Sequence, residues 1–303
     1  MSMHAQPPGA GTAAWIRRLP WLPVGLLLPA TVLLALFLFG PIVQAIIVGT
    51  TNEALTGVHA ASYQSVGFTN FSRLFSDPDF LNALAVSAQY VVGSVVGITG
   101  VGLLLAYLMW HGVHPMVVRV VSGIVIVAWV IPEIVAAFIW RAFGGTGGTL
   151  ALILTPIAGS GNNALIAAPL VLVCLATVWA TAAFSMLVFT AGLHNLPEEV
   201  LEAARMDGAN LWQRMLRIEI PMLRSTIATT LILVTLSVLT DFTLIYTLTG
   251  GGPGTATTTL PVYVFQTAIN DTVLGYGTAA AVVLVAVAAL VSLLYVLLLR
   301  IEV

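Results

Sequence analysis

Six stretches of this chain are apolar for long enough to cross a layer of hydrocarbon, and that fact limits the fold more than any other. They cover 23–49, 84–110, 117–143, 164–193, 223–249 and 272–299. About 20 apolar residues in a helix span the core of a bilayer. Inside lipid an unpaired backbone is so costly that helices and closed barrels are the only spanning forms, and runs of this length select helices. The third stretch holds Arg119, Glu133 and Arg141 and the fifth holds Arg224 and Asp241; the other four carry no charge. The expected fold is an all-α membrane protein of six transmembrane helices. Composition agrees, because only 7% of the residues are charged, against roughly 25% in soluble domains.

Residues 1–22 read as a cytoplasmic tail and 23–303 as one membrane domain. Arg17 and Arg18 precede the first stretch, which is too long for the roughly 7–15 apolar residues of a cleavable signal, so it reads as an uncleaved span. Arginine placement sets the orientation. With both termini inside, Arg17, Arg18, Arg119, Arg205, Arg214, Arg217, Arg224 and Arg300 fall on the cytoplasmic side, and only Arg73 and Arg141 fall outside.

Several function classes drop out. The chain has no lysine, which excludes a phosphate-binding P-loop and Schiff-base chemistry. A net charge of -2 gives no reason to expect nucleic acid. Cys174 stands alone and reads as a small buried or lipid-facing residue. His111 and His114 have no nearby cysteine or second acidic ligand, so no metal site and no cofactor are expected. Gly144–Gly148 is too far from a helix-opening phosphate signature to bind nucleotide.

The segment between the fourth and fifth stretches is the most charged part of the chain: LPEEVLEAARMDGANLWQRMLRIEIP, 196–221. Leu201, Ala204, Ala209 and Trp212 fall near one helical face. Pro197 suits a first turn, Glu198 and Glu199 favour the positive end of a helix, and Gly208 suits a stop. The segment therefore reads as a short surface helix, a glycine break and a second helix ending at Pro221. On pattern alone, a helix lying on the lipid headgroups fits as well as one that docks a partner.

The spacing of Glu202-Ala203-Ala204, Gly208, Ile218 and Ile220-Pro221 resembles the EAA loop of binding-protein-dependent ABC importer permeases, with Ile220 where that pattern has leucine. Phe68-Thr69-Asn70-Phe71, Leu248-Thr249-Gly250-Gly251-Gly252-Pro253 and Gly275-Tyr276-Gly277-Thr278-Ala279 resemble segments of the maltose-type, carbohydrate-uptake subfamily, in the first of its two dissimilar permeases. The resemblance implies a non-catalytic, multi-pass subunit of a bacterial plasma (inner) membrane importer for a sugar or oligosaccharide. It implies as partners a second, distinct permease, two ATP-binding-cassette ATPase subunits and an extracytoplasmic solute-binding protein. It also makes the loop a coupling helix between spans four and five. Ala203, Ala204 and Gly208 would let the ATPase approach closely, Glu202 would meet an ATPase arginine, and Asp207 would bond its own loop backbone.

Thr177, Ala180, Thr181 and Phe184 follow i, i+3, i+4, i+7 spacing. The resemblance implies that they line the sugar pathway opposite Ser237, Val238 and Asp241. On the residues alone, threonine-mediated helix packing explains the stripe equally, and a bond to a neighbouring Ser or Thr explains Asp241. Glu133 reads as structural, serving backbone freed by Pro132 or pairing with Arg141. Gly93 and Gly97 read as a close-packing pair.

Two alternatives remain: a permease of the same superfamily for glycerol phosphate or another small polar solute, and a self-contained secondary transporter. A phosphorylated solute would need an arginine in the cavity, and only Arg141 lies near the outer end of a span. A secondary carrier would show an internal repeat, and none is visible between 1–150 and 151–303. An intramembrane enzyme would need a His-Glu-x-x-His or Gly-x-Ser-x-Gly pattern, and neither occurs.

Overall fold

Most helices of this chain open on a residue that suits a first turn, and two of the apolar stretches break at identifiable residues. The computed structural model describes residues 22–111, 114–150, 152–153 and 163–299. The tail read over 1–22 therefore lies outside the described residues apart from Leu22, as do Arg17, Arg18 and Arg300 of the orientation argument.

The first apolar stretch forms α1 (Leu22–Leu34) and α2 (Gly40–Gly49), joined by a π-helical turn, Ala35–Phe39. An isolated antiparallel bridge between Thr51 and Ser65 and the short α3 (Thr69–Leu74) lead to α4 (Pro78–Trp110), 33 residues long. Asp77 caps α4 by accepting the Asp79 N–H at 2.9 Å, and Pro78 takes the first-turn position that needs no N–H.

The third apolar stretch is not one rod. It forms α5 (Pro115–Val130) and α6 (Glu133–Gly144), bent by 106°. Pro132 offers no N–H to the ladder and holds Ile131 extended, with ψ of 128°. After α7 (Pro169–His194) come α8 (Glu198–Met206), α9 (Leu211–Arg214) and a π turn, Met215–Glu219. The fifth stretch, expected as one helix over 223–249, is also divided: α10 (Arg224–Leu239) stops, and α11 (Thr243–Thr249) resumes after three residues. The connection that follows contains a helix the sequence reading did not anticipate, α12 (Leu260–Phe265), before α13 (Leu274–Leu299). Among the described residues, four helices are long and apolar enough to cross a membrane, and up to six crossings result if each of two bent pairs, α5 with α6 and Leu211–Met222 with α10, counts as one.

The core lies between α4, α7 and α10, where Tyr90, Val95 and Ile98 meet Val173, Ala176, Val234 and Val238. Glycine lets α4 and α7 approach: a Cβ at Gly97 would lie 2.5 Å from Val178 Cγ2, and one at Gly102 would overlap Ser185. α13 packs on α2 in the same way, since a Cβ at Gly49 would lie 3.2 Å from Ala279 Cα. The far sides of α1 and α13 are apolar and uncovered, with Leu26 73% and Leu297 65% exposed. Leaving such side chains in water forfeits roughly 1.5–3 kcal/mol each, so these faces belong against lipid or an apolar partner.

At one end of the bundle the Asp77 carboxylate accepts the hydroxyls of Tyr276 at 2.8 Å and Tyr263 at 2.9 Å. Partial burial pushes its pKa up. The bonds from Tyr276, Tyr263 and the N–H groups of Asp79 and Phe80 outweigh that and hold it below the ordinary carboxylate value. Arg73 lies over the Tyr276 ring, 4.8 Å from its centroid.

Candidate functional site

The chain offers two candidate sites, an exposed helix at one end of the bundle and a polar cleft within it. α8 follows the end of α7 directly, where Leu193 and Phe189 pack with Tyr107 of α4 and Leu223. It therefore sits at the end opposite the Asp77 cluster. Its capping is that of a Schellman motif: the Ala209 N–H bonds Ala204 O at 3.0 Å, and the Gly208 N–H bonds Arg205 O at 3.1 Å. Gly208 sits at φ +76°, a left-handed conformation that a Cβ disfavours.

Leu201 and Ala204 turn inward and are buried, whereas Glu202, Ala203, Asp207 and Gly208 are exposed. Two expectations are corrected here. Ala204 is covered by its own chain and is not available to a partner, because it lies three residues, nearly one turn, after the buried Leu201. Asp207 does not bond its own loop backbone through its side chain; only its main-chain N–H is engaged, to Ala203 O at 3.0 Å. Trp212, expected near the same helical face as Leu201 and Ala204, is 66% exposed. The glycine break resets the helical phase, and α9 starts afresh on an Asn210–Gln213 capping box.

The cleft opens where α10 ends, with a volume of about 290 Å³. Thr177, Ala180 and Thr181 line it from α7, and Ser237, Val238 and Asp241 line it from the α10 side. Six of the seven residues proposed for a pathway thus meet at one place. Phe184 does not: it is half-buried beside Trp129, with ring centroids 6.4 Å apart. At about 1.5 Å per residue it lies roughly 10 Å further along α7 than Thr177, beyond the cleft. The aromatic ring on the cleft is Phe242, stacked on Tyr246 with centroids 5.0 Å apart. Helical periodicity through 237, 238 and 241 could not single it out, because the helix has unwound there.

Glu133 also lines the cleft, as do Thr240 and Thr243. It does not pair with Arg141, whose Nη1 donates to Thr247 O at 3.4 Å instead. At the start of α6 the Val135 and Ala136 N–H groups bond the Pro132 carbonyl, so those two do not need Glu133. Asp241 is held through a residue the sequence reading missed. The Tyr90 hydroxyl, on α4, donates to Asp241 Oδ2 at 2.8 Å and lies 2.9 Å from Thr177 Oγ1. Tyr90 is 1% exposed, and its partners lie 87 and 151 residues away in the chain, so no local pattern marked it. One hydroxyl thus ties α4, α7 and the α10–α11 break together. Among the described residues, no arginine or histidine lines this cleft.

Comparison with known proteins follows the same outline. The chain is 32% identical over 305 residues to the sulfoquinovosyl glycerol transport system permease protein SmoG of Agrobacterium fabrum, covering 94% of each chain. It is 32% identical to the sn-glycerol-3-phosphate transport system permease protein UgpA of the same organism, over 88% of this chain and 90% of that one. It is 34% identical to the trehalose/maltose transport system permease protein MalF of Thermococcus litoralis, over 66% and 68%. Among solved structures, a bacterial ABC transporter involved in import of the acidic polysaccharide alginate superposes with a TM-score of 0.78 at 22% identity, covering 96% of this chain and 99% of that one, so the two share a fold. Residues 89–301 match the profile described as binding-protein-dependent transport system inner membrane component, and the chain belongs to that family.

Proposed function

We propose that the chain is one of two distinct permeases of an ATP-binding-cassette importer in the bacterial plasma (inner) membrane, and that its solute is a neutral, hydroxyl-rich molecule such as a sugar or oligosaccharide. Residues 23–303 form the permease domain, preceded by a cytoplasmic tail. The chain crosses six times with both termini inside. Arginine positions support this orientation: Arg119, Arg205, Arg214, Arg217 and Arg224 belong to the α8 end, and Arg73 and Arg141 to the other.

The observation that carries the reading is α8 itself. It is a rigidly capped helix that presents Glu202, Ala203 and Gly208 outward from the end of the bundle, in a family of membrane components that work with a binding protein. An ATPase subunit docks there, with Glu202 as its charged contact and Ala203 and Gly208 giving close approach. Closure of two ATPase subunits on ATP moves α8 as a lever, and the bundle switches from inward- to outward-facing as rigid bodies. A solute-binding protein delivers cargo at the Asp77 end. Hydrolysis belongs to the partner subunits.

The sign of the solute follows from the cleft. Thr177, Thr181, Ser237, Thr240 and Thr243 offer hydroxyls, Glu133 and Asp241 offer carboxylates, and Phe242 offers a ring face. Two carboxylates without a cation repel anions and accept hydrogen bonds from sugar hydroxyls. The likeness to UgpA favours a second reading, glycerol phosphate.

Reconstitution into vesicles with the second permease, the ATPase and the binding protein tests both. ATP-dependent uptake of a neutral sugar is expected, and Glu202→Lys or Gly208→Asp abolishes it while the spans stay folded. Uptake that persists after ATP is depleted would make the chain a self-contained carrier. Normal transport by either variant would remove α8 from the drive, and preferential uptake of glycerol 3-phosphate would move the solute to the second reading.

A further inference from the structure

Glu219 is completely buried, at 0% exposure, at the far end of the loop that carries α8. Its carboxylate accepts from His111 Nε2 at 2.9 Å and from Arg214 Nη2 at 3.2 Å. Among the described residues these are the only close acid–base pairs of side chains.

The local backbone is shaped to make them. Arg214 and Glu219 are five residues apart, and in an α-helix that separation turns about 140°, which would send the two side chains to different faces. The π turn Met215–Glu219, closed by the Ile220 N–H on Met215 O, winds more slowly and brings them together. His111 is the C-cap of α4, and the Tyr107 ring stacks on it with centroids 5.6 Å apart. One carboxylate therefore ties the loop to the end of a helix 108 residues away in sequence.

Apolar contacts between the loop and the bundle run through Met215, Ile220 and Leu223. Apolar contacts resist separation but are not directional. Charge-assisted hydrogen bonds from two sides fix register and angle as well. Stability alone is a weak reason for such an arrangement, because apolar residues in place of a buried ion pair are often as stable or more so.

We propose that Glu219 is a positioning residue for ATP-coupled transport. With His111 and Arg214 it joins α9 to the end of α4 as one body, so that displacement of α8 is delivered to α4. Tyr90, about 25 Å up the same helix from Tyr107, then passes it to Asp241 and the cleft. This rests on the reading of α8 as the ATPase contact.

The test measures ATP hydrolysis and solute uptake together in the assembled transporter. Glu219→Gln keeps the size of the side chain and one acceptor oxygen. The ATPase should still copurify and hydrolyse ATP, while the ATP spent per solute rises about tenfold or more. Glu219→Asp should recover part of the loss. If uptake and hydrolysis fall in step, or the ratio does not change, Glu219 is only a brace and the proposal is overturned. Should Glu219→Gln fail to assemble, Arg214→Gln, which leaves the His111 contact in place, is read on the same ratio, and an unchanged ratio there overturns it. Failure of the underlying reading looks different: Glu202→Lys would leave uptake untouched.

Discussion

At the cleft, Asp241 receives one good hydrogen bond, from Tyr90, and a long one of 3.4 Å from the Leu244 N–H. At the α8 end of the bundle, Glu219 has a side-chain donor on each oxygen and no exposed surface. An ionised carboxylate has about four acceptor positions. Glu219 is held from both sides and closed off, whereas Asp241 keeps unused acceptor capacity beside open space. The second arrangement has room for a ligand and the first joins one part of the chain to another, although both carboxylates lie among apolar side chains, where ionisable groups are expensive.

The contrast breaks most visibly at Glu219→Ala. That change leaves the buried Arg214 and the partly buried His111 without their acceptor, and Arg214 Nε already lacks a partner among the described residues. A loss of about 3–5 kcal/mol is expected, read as a large drop in the thermal midpoint of the purified protein. A drop too small to measure would mean that water reaches the clamp and the contrast is false. Tyr90→Phe comes next. Removing the hydroxyl that bonds Asp241 should cost about 1.5–3 kcal/mol by the same measurement, and a neutral outcome would show Asp241 to be held by something else. Asp241→Asn sharpens the comparison from the other side. Asparagine still accepts from Tyr90, so stability should move by less than about 1 kcal/mol while the KM for uptake rises. Equal damage to stability and uptake would make Asp241 a packing residue.

The smallest effect concerns Asp77. Its pKa is lower in the folded state than in the unfolded chain. Its contribution is therefore complete above the ordinary carboxylate pKa of about 3.9 and is lost as pH falls through the lower folded value. Asp77→Asn should flatten the acid limb of thermal midpoint against pH below about 4, and an unchanged limb would assign the acid sensitivity elsewhere.

Hydropathy alone located the long helices α4, α7 and α13, because nothing interrupts their ladders. The break at Ile131-Pro132 was legible as a kink, since proline carries its own chemistry, but its 106° was not. The break at Thr240–Phe242 has no proline or glycine to announce it, so the fifth stretch read as one helix, and Phe184 was given the ring that Phe242 supplies. α8 was the most legible element, because Pro197, Glu198, Glu199 and Gly208 are start and stop signals written locally. Its burial pattern was half legible: Leu201 and Ala204 face inward as the period requires, but the phase is lost at Gly208 and Trp212 ends up outside. Tyr90 and Glu219 were invisible as site residues because their partners are distant in the chain, Asp241 by 151 residues and His111 by 108.

The interruption at Thr240–Phe242 has a mechanical consequence. A continuous rod tilted at its foot swings at its tip, but a rod cut partway transmits the swing only as far as the cut. The upper piece, α11, is clasped by the turn above it, where Thr249 and Thr257 share a hydrogen bond of 2.7 Å and the Thr258 hydroxyl donates to Gly251 O at 3.1 Å. If α8 moves the lower piece as proposed, the rocking runs out at Asp241 and Phe242, so the floor of the cleft can shift while the turn above it keeps its shape.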